Sequence, residues 1–208
     1  VVLLHGIART SASLTKLERA LRASGFKTLN IDYPSRKKPI AALAGDIHEA
    51  VDGFAQRDAP LHFVAHSMGG LVARAYIAKY RPDRLAGVVM LGTPNNGSEV
   101  ADLLSGSRVY RAFYGPAGLE LTTGSRSDSL PAVDYPVGVI AGSRFIDPVA
   151  GLLVLPKPND GRVSVQSAML SGMADHIVVK VSHTGLPRHA TVIDQTIAFL
   201  HDGRFKPG

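Results

Sequence analysis

The sequence predicts an α/β fold: a mainly parallel sheet of about six strands with helices on both faces. Three observations carry this. Short apolar runs alternate along the chain with segments whose apolar residues recur at helical spacing. The runs are largely continuous rather than alternating, as in strands covered on both faces. At 208 residues, with 45% hydrophobic and 19% charged residues, the chain can bury one good core, so a single domain over 1–208 is expected.

Residues 1–4 read as a buried strand. Leu14, Leu17 and Leu21 fall at helical spacing, and Gly25 stops that helix. A second strand over 28–32 is closed by Tyr33-Pro34. Ile40, Leu43, Ala44, Ile47, Val51, Phe54 and Ala55 follow the i, i+3, i+4, i+7 pattern of one amphipathic helix. The third strand spans 61–65. Met68, Leu71, Val72, Ala75 and Ile77 mark the helix after it, which ends near Arg81-Pro82. Further strands are expected at 87–91, 137–141 and 177–181. Val192, Ile193, Thr196, Ile197 and Leu200 form a terminal helix before Gly203.

Two segments break this rhythm. Residues 93–135, rich in Gly, Ser and Pro, read as an irregular partial cap, and 143–160 as a second insert. Both follow strands. They are therefore expected at the carboxyl edge of the sheet, where open α/β folds place their sites. There is no internal repeat and no interdomain linker.

The chain has no cysteine, which removes disulfides and thiolate metal sites. No apolar run approaches the ~20 residues of a membrane span. Val1 already lies within a strand-like run, so the compartment cannot be read from this N-terminus. The formal charge is +6. Its densest basic cluster, Arg36-Lys37-Lys38 between Pro34 and Pro39, reads as a charged loop. No aromatic residue interleaves it, which argues against a nucleic-acid partner. No histidine pair has metal-ligand spacing, so no metal is expected.

The chemistry concentrates at Val64-Ala65-His66-Ser67-Met68-Gly69-Gly70. A strand runs into a serine between small residues, and a helix follows at once. This is the pattern of a nucleophile elbow, a sharp turn that exposes the serine above a helix N-terminus. A serine hydroxyl needs a base within hydrogen-bond reach and a third group to orient that base. Asp160, in Asn159-Asp160-Gly161 after the fifth strand, is the first candidate acid, with Asp147 the alternative. His183, in Ser182-His183-Thr184 past the sixth strand, is the first candidate base, with His189 the alternative. Acyl transfer also needs donors for the developing oxyanion, each worth ~3 kcal/mol. The backbone N–H groups of Met68, after the serine, and Ile7, after the first strand in His5-Gly6-Ile7, are the candidates. Leu103, Leu104, Val149, Leu152 and Leu153 are placed in the inserts to line an acyl groove.

Leu4-His5-Gly6-Ile7, Ala65-His66-Ser67-Met68-Gly69 and Asn159-Asp160-Gly161 with Ser182-His183-Thr184 resemble the α/β-hydrolase superfamily, within it the compact bacterial lipases and esterases. The resemblance spans essentially the whole chain. Ala65 stands where most members have glycine, as in some small lipases. It implies a minimal α/β-hydrolase fold that lacks two leading strands and a large lid. The implied activity is cleavage of a carboxylic ester or lipid (triacylglycerol lipase or carboxylesterase) through an acyl-enzyme, without a cofactor. Thioesterase, acyltransferase or lipid-anchor esterase activity with the same triad is the alternative. A non-catalytic binding domain is the remaining one.

Overall fold

Along each central strand, successive side chains enter different cores, because strand side chains alternate between faces. In β1 (Val2–Leu4), Val2 and Leu4 face one core and Leu3 the other. In β3 (Leu61–His66), Phe63 and Ala65 share the side of Val2, and Val64 the side of Leu3. In β4 (Leu85–Leu91), Val88 and Met90 oppose Val89 and Leu91. Continuous apolar runs are thus what a sheet with two covered faces requires. These relationships come from a computed structural model that describes residues 1–56, 58–123, 130–145 and 155–207.

The six strands include β2 (Leu29–Ile31), β5 (Val137–Gly142) and β6 (Asp175–Val179). They lie in the order β2-β1-β3-β4-β5-β6, and every neighbouring pair is parallel. One face carries α1 (Thr15–Ala23) and the terminal helix α8 (Ala190–Asp202), whose Leu17, Leu21, Val192 and Phe199 join the core of Leu3. The other carries α2 (Ile40–Asp46), α3 (His48–Phe54) and α4 (Met68–Tyr80), which close on Phe63 and Met90. From β1 the chain steps outward to β2, then returns across β1 to β3. The loops leaving β1 and β3 diverge there and open a crevice at the carboxyl edge.

The expected strands and helices are present, with local differences. The single helix expected around 40–55 is two, α2 and α3, meeting at Ile47, just past Gly45 and Asp46, two weak helix formers. The segment 93–135, expected to be irregular, carries α5 (Glu99–Leu104) and α6 (Arg108–Leu119). Their starts are capped by Ser98 and Ser107, whose hydroxyls accept from the N–H of Ala101 and Tyr110. α6 is kinked at Gly115-Pro116, where the glycine has φ 62°. Short helix α7 (Val165–Ala168) follows the acid-bearing loop. Among the described residues no helix is long and apolar enough to cross a membrane.

Candidate active site

β3 ends in a turn too tight for ordinary residues. Ser67 has φ 56° and ψ −129°, outside the broad regions open to side-chain-bearing residues. The turn is held from both sides: the Ser67 N–H donates to the Leu91 carbonyl at 2.9 Å, and the Gly70 N–H to the Ser67 carbonyl at 3.0 Å. α4 begins at Met68 and runs beneath the sheet edge so closely that a Cβ on Gly69 would lie 2.5 Å from the Leu4 carbonyl oxygen. That approach is why small residues flank the serine.

The structure brings Ser67, His183 and Asp160 together. Ser67 Oγ lies 3.0 Å from His183 Nε2, and His183 Nδ1 lies 2.8 Å from Asp160 Oδ2. A carboxylate only accepts, so Nδ1 carries the imidazole proton and Nε2 is free to accept from the serine hydroxyl. The three residues are 8%, 5% and 2% exposed, so water competes little with these bonds. The loop after β5 aims the carboxylate. Oδ1 of Asp160 accepts from the N–H groups of Arg162 at 3.0 Å and Val163 at 2.8 Å, leaving Oδ2 for the histidine. The Asp160 carbonyl in turn accepts from the His183 N–H at 3.0 Å. His189, the alternative base, lies outside this chain of bonds, as the residue before α8. Asp147, the alternative acid, lies outside the described residues.

The proposed oxyanion donors flank the serine. Met68 opens α4, so its N–H has no acceptor within the helix. Gly6 runs against the elbow, since a Cβ there would lie 3.0 Å from Ser67 Cβ, and Ile7 lines the cleft over Ser67. His5, fully buried, fixes this loop. Its Nδ1–H donates to the Gly6 carbonyl at 2.9 Å, and its ring stacks on Tyr33 at 4.2 Å. Burial holds its pKa below the ordinary histidine value.

Ser67 sits where two branches of a cleft meet. Both branches touch Ile7, Ser67, Tyr114, Arg162 and His183. One, of about 290 Å³, is largely apolar, with Val100, Ala101, Leu104, Tyr110, Leu121 and Val163 in its wall. The other, of about 300 Å³, includes Arg9, Phe113 and Thr184. Leu104 is therefore placed in the cleft as expected, but Leu103 is 64% exposed and stands outside that wall. Val149, Leu152 and Leu153 lie outside the described residues. Among the described residues no group of three or more His, Cys, Asp or Glu could hold a metal ion.

Several residues that shape the site escaped the sequence reading. Gly92 and Gly142, at the ends of β4 and β5, leave room for Asp160 and His183. A glycine closing a buried strand was the available signal. His66 donates from Nε2 to the His183 carbonyl at 3.0 Å and so steadies that residue beside Ser67. Burial, then the neighbouring His183, holds its pKa well below the ordinary value, so it stays neutral. Tyr110, Phe113 and Tyr114 come from α6, within the segment expected to be irregular.

Solved structures share this architecture at low identity. The mature form of a Bacillus licheniformis lipase, BlEst2, matches with a TM-score of 0.72 and 20% identity, over 95% of this chain and 87% of that one. A metagenomic carboxyl esterase matches with a TM-score of 0.70 and 20% identity, over 88% of this chain and 63% of that one. The type II thioesterase BorB of the borrelidin biosynthetic cluster matches with a TM-score of 0.64 and 18% identity, over 96% and 89%. At these identities the likeness is one of fold. The sequence itself matches the alpha/beta hydrolase family over residues 1–196, and the chain belongs to that family.

Proposed function

We propose that this chain is a serine hydrolase that cleaves carboxylic esters through an acyl-enzyme. The observation that carries the reading is the unbroken hydrogen-bond relay from Ser67 through His183 to Asp160, ending on a strained serine at the mouth of a cleft. Ser67 Oγ attacks the ester carbonyl while His183 Nε2 takes its proton. The carbonyl oxygen gains the negative charge and is held by the N–H groups of Ile7 and Met68. The tetrahedral intermediate collapses, the bond to the alcohol oxygen breaks, and His183 returns the proton to the departing alcohol. Water then attacks the acyl-serine with His183 again as base, releasing the acid and free Ser67. Asp160 orients the imidazole and stabilises its charged form at each step. No step needs a cofactor. The apolar branch behind Ala101 and Leu104 suits a short or medium acyl chain.

Labelling with a fluorophosphonate tests the nucleophile: the wild-type protein should react and Ser67→Ala should not. An unreactive wild type, or a reactive alanine variant, refutes the reading. Nitrophenyl esters of increasing chain length then measure the acyl branch. Oxoesters and thioesters of one acyl chain separate an esterase from a thioesterase built on the same relay.

A further inference from the structure

The basic cluster of the sequence occupies a turn in which the Lys37 N–H donates to the Pro34 carbonyl at 2.8 Å. This turn forms one wall of a groove of about 620 Å³ whose cationic side chains are Arg9, Arg36, Lys37 and Arg188. Four cations thus converge from three separate segments, and no described carboxylate lines the groove with them. Asp32, next in sequence to the wall residue Tyr33, has both oxygens engaged by Ser11, at 2.6 and 2.9 Å. Lys38 is directed elsewhere, to Asp46 at 2.8 Å.

The groove is built. Buried Ser35 receives the Ala8 N–H at 3.1 Å, tying the turn to the loop that carries the proposed oxyanion donor. Ala8 adopts φ 55°, an unusual conformation for a residue with a side chain. Arg36 donates to the Phe113 carbonyl at 3.1 Å and lies 5.0 Å over the Phe113 ring. Ala8, Arg9 and Phe113 each belong both to this groove and to the branch of the cleft that touches Ser67. The cationic groove therefore continues the branch opposite the apolar one. An ester held with its acyl chain on the apolar side sends its other half toward these cations.

We propose that the groove receives a phosphate carried by the leaving group, so that the substrates are acyl esters or thioesters of a phosphorylated alcohol or thiol. The catalytic part of this statement rests on the serine-hydrolase reading; the binding part does not. Guanidinium groups bind phosphate through paired, charge-assisted hydrogen bonds, and a groove with several of them favours a dianion over a neutral alcohol.

Two measurements test it. In the first, Ser67→Ala protein is titrated calorimetrically with glycerol 3-phosphate and with glycerol. Saturable binding of the phosphate alone is expected, weakened about tenfold by adding Lys37→Gln and Arg188→Gln, both at exposed positions. Equal behaviour of the two ligands, or binding unaffected by the substitutions, overturns the proposal whether or not the protein hydrolyses esters. In the second, the unaltered protein is given matched pairs: monobutyrylglycerol with its 3-phosphate, and butyryl-N-acetylcysteamine with butyryl-coenzyme A. A preference of about tenfold or more in kcat/KM for the phosphorylated member of either pair, falling as salt is raised, is expected. The pair that shows it identifies the source of the phosphate. Turnover without preference in both pairs overturns the proposal. If no ester is turned over and Ser67 resists fluorophosphonate, the hydrolase reading fails instead, and the calorimetry still decides the groove.

Discussion

Gly142 leaves the space that Asp160 occupies: a Cβ at Gly142 would lie 2.7 Å from Asp160 Cβ and 2.6 Å from the Val181 carbonyl oxygen. Neither neighbour can yield cheaply. Val181 lies just past β6, and the carboxylate of Asp160 is pinned by two backbone N–H groups and a histidine. Gly142→Ala should therefore push the acid away from His183. The expected outcome is a fall of at least about tenfold in kcat with a loss of about 1–3 kcal/mol in stability, the usual cost of overpacking. Ester kinetics and urea unfolding on the same preparation check it. A variant with unchanged kcat would mean that the relay tolerates displacement of its acid.

The two oxygens of Asp160 have different duties, which makes Asp160→Asn informative. Oδ1 accepts from Arg162 and Val163, so an asparagine would keep its carbonyl oxygen there. Its amide NH₂ would then face His183 Nδ1 and donate to it. That places the imidazole proton on Nε2, where it cannot accept from Ser67. The expected loss is about 10⁴-fold in kcat with little change in fold, as in other triads whose acid is made an amide. Steady-state kinetics alongside circular dichroism measure both parts.

Ser67 trades stability for reach. Its φ of 56° with ψ −129° belongs to conformations that cost about 1–3 kcal/mol for a residue with a Cβ. Ser67→Gly should relieve that cost, whereas Ser67→Ala keeps the Cβ and should not. Both variants should be inactive. The glycine variant alone should melt higher than wild type, by about 2–4 °C for each kcal/mol regained in a domain of this size. Differential scanning calorimetry of the three proteins gives the comparison.

How much of this was legible in the sequence depended on how local each determinant is. The strands showed because burial on both faces demands unbroken apolar runs, as in Leu61 to Ala65. The serine showed because small residues must stand beside it: Gly69 for α4 to approach Leu4, and Gly70 to clear Thr93. Asp160 and His183 could be nominated from their places after strands, since the sheet order carries both loops to one edge. The cradle formed by Gly92 and Gly142 showed only as a glycine closing each buried strand, because what each packs against is distant in sequence and meets it only in the fold. The helices α5 and α6 were obscured by the Gly and Pro between and within them, although Ser98 and Ser107 cap both. The cationic groove needed Arg9, Arg36 and Arg188 to converge from three segments, which no single stretch of chain announces.

Three buried histidines make the folded protein sensitive to acid. Burial lowers the pKa of His5, of His66 well below the ordinary value, and of His62 to about 4. In each case the folded-state value lies below that of the unfolded chain, near 6.5, so on acidification the unfolded chain takes up protons first. The stabilisation from keeping these rings neutral is whole above that unfolded value. It erodes as pH falls below it, for His62 down to its folded-state value of about 4. Urea unfolding should therefore give a falling free energy between pH 7 and pH 5. His62→Leu, at the start of β3 and away from Ser67, removes one of the three groups and should flatten that slope by up to about one proton's worth. A slope unchanged by the substitution would show that His62 is protonated alike in the folded and unfolded chain.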